Sequence, residues 1–208
     1  LVVDSVVGAT AGDEAAAMLE PLSVGIAAAR KADLKPGQRV FIAGAGPIGI
    51  IMAQTARAFG AKDIIVSDPA PQRRALALAH GATQVIDPMT TDVKTAGLEV
   101  DAFIDAAGVT PAVVSGIYTV KPAGRVVLVG MGADEIPLPI PVIQNRELIV
   151  TGIFRYTDTW PLGIHLVASG KVDLDALVTS TYGLAQASTA LDRAGAPDEM
   201  KIVIRPGQ

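Results

Sequence analysis

A doubly wound α/β fold around a parallel sheet is the fold class this sequence predicts, on three observations. Short apolar runs, such as residues 40–43 and 64–66, alternate with longer stretches of helical character. The runs are apolar at successive positions, so both faces of each strand are buried, as when helices cover both sides of a parallel sheet. A Gly-X-Gly-X-X-Gly pattern, Gly44-Ala45-Gly46-Pro47-Ile48-Gly49, joins the first run to the first long helical stretch.

Local signals place the elements along the chain. Asp13 and Glu14 ahead of five residues from Ala15 to Leu19 read as the acidic first turn of a helix, where carboxylates meet the positive end of the dipole. Pro21 is expected to interrupt that helix, with a second helical stretch over residues 22–30. Lys35-Pro36-Gly37 is a turn. A strand over 39–43 leads to a helix over 47–59, closed by Gly60 at the position where a left-handed residue ends a helix. A strand over 63–67 follows, then a helix over 72–80 closed by Gly81, and a strand over 84–86. The crossover between Asp87 and Glu99 is short, so any helix in it is abbreviated. Further strands are expected over 102–105, 125–129 and 148–152, with a helix over 111–120. Pro137, Pro139 and Pro141 predict an extended, hydrogen-bond-poor crossover. Beyond Phe154 the alternation stops. Residues 158–168 and 184–194 read as helical and 201–204 as a short strand. A boundary near Tyr156 divides the chain into 1–35, 36–156 and 157–208.

Composition removes several function classes. Half of the 208 residues are hydrophobic and 18% are charged, which supplies a core and argues against disorder. The net charge is −4 and no run of Lys or Arg occurs, so neither a nucleic-acid footprint nor a polybasic membrane patch is expected. The absence of cysteine rules out disulfides and Cys-ligated zinc, and suits the cytoplasm. The longest uncharged stretch, residues 40–56, contains Gly44, Gly46, Pro47, Gly49 and Gln54, and reads as strand, turn and helix rather than a membrane span. No basic segment precedes an apolar one at the start, so no secretory leader is expected. The first residue is Leu, so the chain is expected to be a piece of a longer protein.

The glycine pattern carries chemistry because of its setting, after a strand and at the start of a helix. Gly44 permits the tight turn, Gly46 lets the backbone approach a pyrophosphate, and Gly49 lets helix and strand pack closely. The helix N-terminus offers free N–H groups to phosphates, and Pro47 sits where a missing N–H costs nothing. Asp68 closes the second strand nineteen residues after Gly49. A carboxylate there accepts both adenosine-ribose hydroxyls and repels a 2′-phosphate, favouring NAD over NADP. It is also suited to capping the next helix. Arg73 and Arg74 are each placed to stack on adenine or to pair with a 2′-phosphate. Asp105-Ala106-Ala107-Gly108 and Val129-Gly130-Met131-Gly132 follow the fourth and fifth strands. Small residues there fit a flat cofactor ring, or an ordinary loop. His80 reads as structural at a helix C-terminus, His165 as a packed histidine, and Trp160 as core or interface packing. Taken alone, Glu20 is a solvated helix-end carboxylate, and Arg155 and Tyr156 are surface or interface residues.

Together with the glycine pattern and Asp68, the stretches Glu20-Pro21-Leu22-Ser23-Val24-Gly25 and Gly152-Ile153-Phe154-Arg155-Tyr156 give the chain a family resemblance. Over roughly residues 15–206 it resembles the C-terminal portion of zinc-type medium-chain dehydrogenases, most closely their polyol (sorbitol) branch. The resemblance implies a Rossmann cofactor domain and NAD-dependent oxidation of a polyol or secondary alcohol to a ketone, assisted by zinc in the full-length parent. By motif it implies that Ile48, Asp68, Arg73, Val129, Phe154 and Arg155 line the cofactor, beside Gly44, Gly46, Pro47 and Gly49 of the fingerprint and Gly108, Gly130 and Met131 of the strand-end loops. Arg155 and Tyr156 would contact the substrate. Glu20 would act next to the zinc as a proton relay or substrate contact.

The same resemblance makes residues 1–35 and 157–208 segments of a catalytic domain otherwise absent from this sequence, and 36–156 the NAD-binding domain. The family's zinc ligands, a Cys and a His-Glu pair, come from that domain, so no metal site is expected within this chain. The expected partners are a small polyol or alcohol and further copies in a homo-dimer or homo-tetramer. Two other readings stand beside this one: a free-standing, non-catalytic dinucleotide-binding module, and a zinc-free medium-chain reductase.

Overall fold

The computed structural model describes residues 12–196 and 198–207. Of the expected segment 1–35, residues 1–11 lie outside the described residues. The apolar runs become six strands: β1 (Arg39–Ala43), β2 (Asp63–Ser67), β3 (Gln84–Ile86), β4 (Val100–Asp105), β5 (Val120–Leu128) and β6 (Ile149–Gly152). They form one sheet in the order β3-β2-β1-β4-β5-β6, with every neighbouring pair parallel. The order reverses between β1 and β4. In a doubly wound sheet a dinucleotide lies across the crevice at that point. The expected parallel α/β class is the observed one.

The helices are α1 (Asp13–Ala17), α2 (Leu19–Lys31), α3 (Pro47–Ala58), α4 (Pro71–Ala79), α5 (Thr110–Ile117), α6 (Ile140–Asn145), α7 (Trp160–Ala168) and α8 (Ala187–Arg193). Core residues come from both faces of the strands. Val40, Phe41 and Ile42 of β1 are each at most 1% exposed, which explains the unbroken apolar run. Phe41 and Phe103, paired in register across β1 and β4, stack with ring centroids 5.4 Å apart.

Several expectations are corrected. Pro21 does not interrupt a helix. The break comes at Met18, and Pro21 lies in the first turn of α2, where the first N–H groups have no helical partner to lose. Val120 belongs to β5 and not to the preceding helix, which ends at Ile117. It pairs with Val100, after which the register shifts and Ala102 meets Arg125. At this irregularity Ala123, at φ 60°, donates its N–H to the carbonyl of Arg146, the residue that follows α6. The proline-rich crossover is not extended throughout, because Pro141 sits in the first turn of α6, where its missing N–H is harmless. The crossover from Asp87 to Glu99 holds turns and no helix, with Asp87 and Asp92 each accepting nearby backbone N–H groups.

The structure divides into two units, Pro21–Thr159 and a smaller one of the residues up to Glu20 with those from Trp160 onward. The smaller unit contains a strand the sequence did not reveal, β7 (Val178–Gly183), paired parallel with β8 (Lys201–Arg205). The helix expected over 184–194 is a 3₁₀ turn (Leu184–Gln186) followed by α8. Glu14 of α1 forms an ion pair with Arg205 of β8. His165 is exposed rather than packed, and Trp160 is 42% exposed at the start of α7 rather than part of the core. No helix among the described residues is long and apolar enough to cross a membrane.

Candidate functional site

The site begins where β1 ends. Gly44 has φ +97°, and its N–H donates to the Ser67 carbonyl at 2.7 Å, so the turn is bonded to the end of β2. A Cβ on Gly49 would lie 1.9 Å from the Gly44 carbonyl oxygen, so only glycine lets α3 pack this tightly on the turn. At Gly46, by contrast, a Cβ would meet nothing within 4 Å. The turn is therefore dense behind and open in front. The first N–H groups of α3 have no helical partners, and Pro47 at its first position removes one.

That open side faces a cavity of about 800 Å³, of a size that holds a large ligand. Gly44, Gly46, Asp68 and Arg73 line it together, as the fingerprint requires. Asp68 is 6% exposed, and both its oxygens are already engaged. Oδ2 accepts the Ala45 N–H at 2.9 Å and Oδ1 accepts the Ala70 N–H at 2.8 Å. The residue at the N-cap of α4 is Ala70, so Asp68 braces the turn from two residues before the cap rather than occupying it. A carboxylate has about four acceptor positions, which leaves room for ribose hydroxyls.

The two neighbouring arginines separate. Arg74 donates to the carbonyls of Asp68 and Pro69, at 2.7 and 2.8 Å, and pairs with Asp87 at 3.0 Å. Arg73 lines the cavity and has no hydrogen bond or ion pair among the described residues. By position alone the sequence offered both arginines, whereas the family resemblance implied Arg73. Neither assigned a role to the crossover, whose Met89, Asp92 and Lys94 form part of the cavity wall.

The second half of the site lies at the carboxyl ends of β4, β5 and β6. Asp105 ends β4 at 1% exposure. Its carboxylate accepts N–H groups from Ala107 at 3.1 Å and Gly108 at 3.1 Å, and its backbone carbonyl accepts those of Val129 and Gly130. Burial pushes the Asp105 carboxyl above its usual range, and the N–H groups of Gly108, Ala107 and Gly130 oppose that shift. Asp105 was not singled out from the sequence. A carboxylate closing an apolar strand before Ala-Ala-Gly was the signal available for it.

The other expected residues are also placed. Ile48 is in the first turn of α3 and half-buried; Val129 and Gly130 are half-buried and Met131 is 85% exposed. Phe154 is 73% exposed, and the Arg155 guanidinium stands 4.7 Å above its ring. Tyr156 follows, half-buried. Arg30 at the end of α2 donates to the carbonyls of Thr157 and Asp158 and so holds the far end of this segment. Glu20 lies exposed in the first turn of α2, in the smaller unit.

The two halves fit a dinucleotide: an open glycine turn at a helix N-terminus, a carboxylate at the end of β2, and small residues at the next strand ends. Zinc does not fit these residues. Among the described residues no three His, Asp or Glu side chains stand together to hold a metal ion, and the sequence has no Cys and two His.

The family of zinc-binding dehydrogenases matches residues 47–169. Sorbitol dehydrogenase of Bacillus subtilis (strain 168) is 42% identical over 188 residues, covering 87% of this chain and 53% of that protein. Sorbitol dehydrogenase of Bos taurus is 34% identical over 200 residues, covering 92% and 56%. Among solved structures, a protein described as a zinc-binding dehydrogenase from Sinorhizobium meliloti 1021, bound to NADP, gives a TM-score of 0.88 at 30% identity, covering 92% of this chain and 59% of that one. L-idonate 5-dehydrogenase from Escherichia coli gives 0.87 at 27%, covering 93% and 57%. The chain spans about half the length of the curated relatives it matches. On the family match, these identities and the shared fold, this chain belongs to the zinc-type medium-chain dehydrogenases.

Proposed function

We propose that this chain supplies the cofactor domain of an NAD-dependent dehydrogenase that oxidises a polyol or secondary alcohol to a ketone. The observation that carries this reading is the dense-behind, open-in-front glycine turn beside Asp68, facing a cavity of about 800 Å³. A bound nicotinamide would supply the hydride acceptor for the alcohol carbon, and this chain's residues hold it in place. Gly46, Ile48 and the α3 N-terminus hold the pyrophosphate, with Pro47 fixing the start of that helix. Asp68 binds the adenosine ribose with the acceptor positions its backbone bonds leave free. Arg73 covers the adenine side. Gly108, Val129, Gly130 and Met131 form a bed for the nicotinamide half, with Phe154 and Arg155 at its edge.

Arg155 and Tyr156 are assigned substrate contacts, and Glu20 the role of a proton-relay carboxylate. The names of the relatives, sorbitol dehydrogenases among them, support the polyol class. The ligands of a catalytic zinc are assigned to residues outside these 208. A homo-dimer or homo-tetramer is part of the same reading.

A second reading, use of NADP, draws support from Arg73, a cation without a protein partner among the described residues, and from the NADP-bound relative. Titration with NADH and with NADPH tests both. Tighter NADH binding supports the Asp68 assignment, tighter NADPH binding shifts the choice to Arg73, and no binding of either sinks the proposal. Turnover of sorbitol and related polyols by the full-length protein, followed by NADH absorbance, tests the substrate class. Activity confined to alcohols without a neighbouring hydroxyl would remove the polyol assignment.

A further inference from the structure

We propose that Asp105 is a positioning residue that pre-shapes the bed for the nicotinamide half of the cofactor by locking the β4 and β5 loops together. This rests on the dinucleotide reading above and extends it to a residue that touches no ligand in that reading.

Both ends of Asp105 are committed to loop backbone. The carboxylate accepts the Ala107 and Gly108 N–H groups of its own loop, at 3.1 Å each. The backbone carbonyl accepts the N–H groups of Val129, at 3.0 Å, and Gly130, at 2.9 Å, from the loop after β5. The two loops meet without side chains between them. A Cβ on Gly130 would lie 2.1 Å from the Gly108 nitrogen and 2.7 Å from an Asp105 carboxylate oxygen. A Cβ on Gly132 would lie 1.7 Å from the Gly108 carbonyl oxygen.

A buried carboxylate is costly, and it is tolerated when several N–H groups converge on it. The same bonds hold Gly108 at φ +68° and fix the height of the Val129-Gly130 backbone. A merely stable loop needs no ionisable group at 1% exposure. The carboxylate orders the β4 loop while the carbonyl of the same residue holds the β5 loop, so one residue sets the spacing of the two, which is what a flat ring requires. The glycine turn and Asp68 lie on the β1 and β2 side, with a separate set of hydrogen bonds. Asp105 therefore acts on one half of the dinucleotide and not on the other.

The test compares NADH with ADP-ribose, which keeps the adenosine and pyrophosphate and lacks the nicotinamide. Both are titrated against the full-length protein and its Asp105→Asn variant, with Tm recorded. Asn keeps the shape and can keep an oxygen where Oδ1 accepts Ala107 and Gly108, but it removes the charge and sets an NH₂ at the Oδ2 position, which the Gly108 N–H approaches at 3.2 Å. NADH affinity should fall about tenfold, as for loss of a charge-assisted hydrogen bond, while ADP-ribose affinity stays within about twofold. Unchanged NADH binding, or an equal fall for both ligands, overturns the proposal. Should D105N fail to fold, amide hydrogen exchange on the unaltered protein without cofactor decides. Slow exchange at Ala107, Gly108 and Gly130 is expected, and fast exchange there means that the bed is not pre-shaped. If the unaltered protein binds neither ligand, the dinucleotide reading itself has failed, an outcome separate from any effect of the substitution.

Discussion

The Asp68 carboxylate accepts the backbone N–H of Ala45 at 2.9 Å, tying the end of β2 to the middle of the glycine turn. With its second bond, to Ala70, it links the two segments that would meet the adenosine half of a dinucleotide. Its effect on the cofactor is therefore coupled to its effect on the fold.

Replacing Asp68 with Ala leaves the Ala45 and Ala70 N–H groups without their acceptor. A loss of about 1–3 kcal/mol in unfolding free energy is expected, read from the denaturant midpoint. NAD binding should weaken more than NADP binding, because the carboxylate that accepts the ribose hydroxyls and repels a 2′-phosphate is gone. Equal weakening of the two cofactors would show that Asp68 acts through the turn alone.

Gly49→Ala drives a methyl group to within 1.9 Å of the Gly44 carbonyl, and backbone must move to accept it. Overpacking of this kind costs about 1–3 kcal/mol. Here NADH and ADP-ribose should weaken together, since the turn faces the part they share. Calorimetric titration with both ligands checks this, and a loss restricted to NADH would contradict it.

The arginine pair gives a sharper contrast. Arg74→Ala removes bonds to two carbonyls and the partner of Asp87, so it should lower Tm. Arg73→Ala removes a side chain with no protein partner among the described residues, so Tm should hold while NADPH binding falls by about tenfold. Reversal of these two outcomes would mean that the roles had been assigned the wrong way round.

Acid should weaken the smaller unit. Glu199 accepts hydrogen bonds from Thr179, Arg193 and Ser180, which hold its carboxyl below the usual glutamate range. Arg205 acts likewise on Glu14. A carboxyl lowered in the folded state contributes stability that is present above its unfolded value, about 4.3, and lost as pH falls toward the folded one. Asp105 has the opposite sign: its raised carboxyl makes ionisation cost stability as pH rises from the usual aspartate value. Thermal melts from neutral pH down to about pH 3 should show the loss, and Glu199→Gln should flatten it. Parallel curves for the two proteins would remove Glu199 as a cause.

Legible from neighbouring residues alone are the strands that enter the sheet, the glycine turn and the place of Asp68. Each depends on nearby residues: a glycine at a fixed offset, a proline at a helix start, an apolar run too long for one exposed face. Tertiary structure decided the rest. Val120 became strand because Val100 lies beside it, and β7, a run of Val-Thr-Ser-Thr-Tyr, formed because β8 was there to pair with it. Arg73 and Arg74 are adjacent in sequence, and it is the folded positions of the Asp68 and Pro69 carbonyls and of Asp87 that engage Arg74 and leave Arg73 to the cavity. Asp105 reads locally as one more polar strand end. Its grip on Val129 and Gly130, two dozen residues further along the chain, exists only once β4 and β5 are side by side. Short-range sterics and hydrophobic patterning are written residue by residue, whereas hydrogen bonds between distant segments are defined only when the sheet has brought them together.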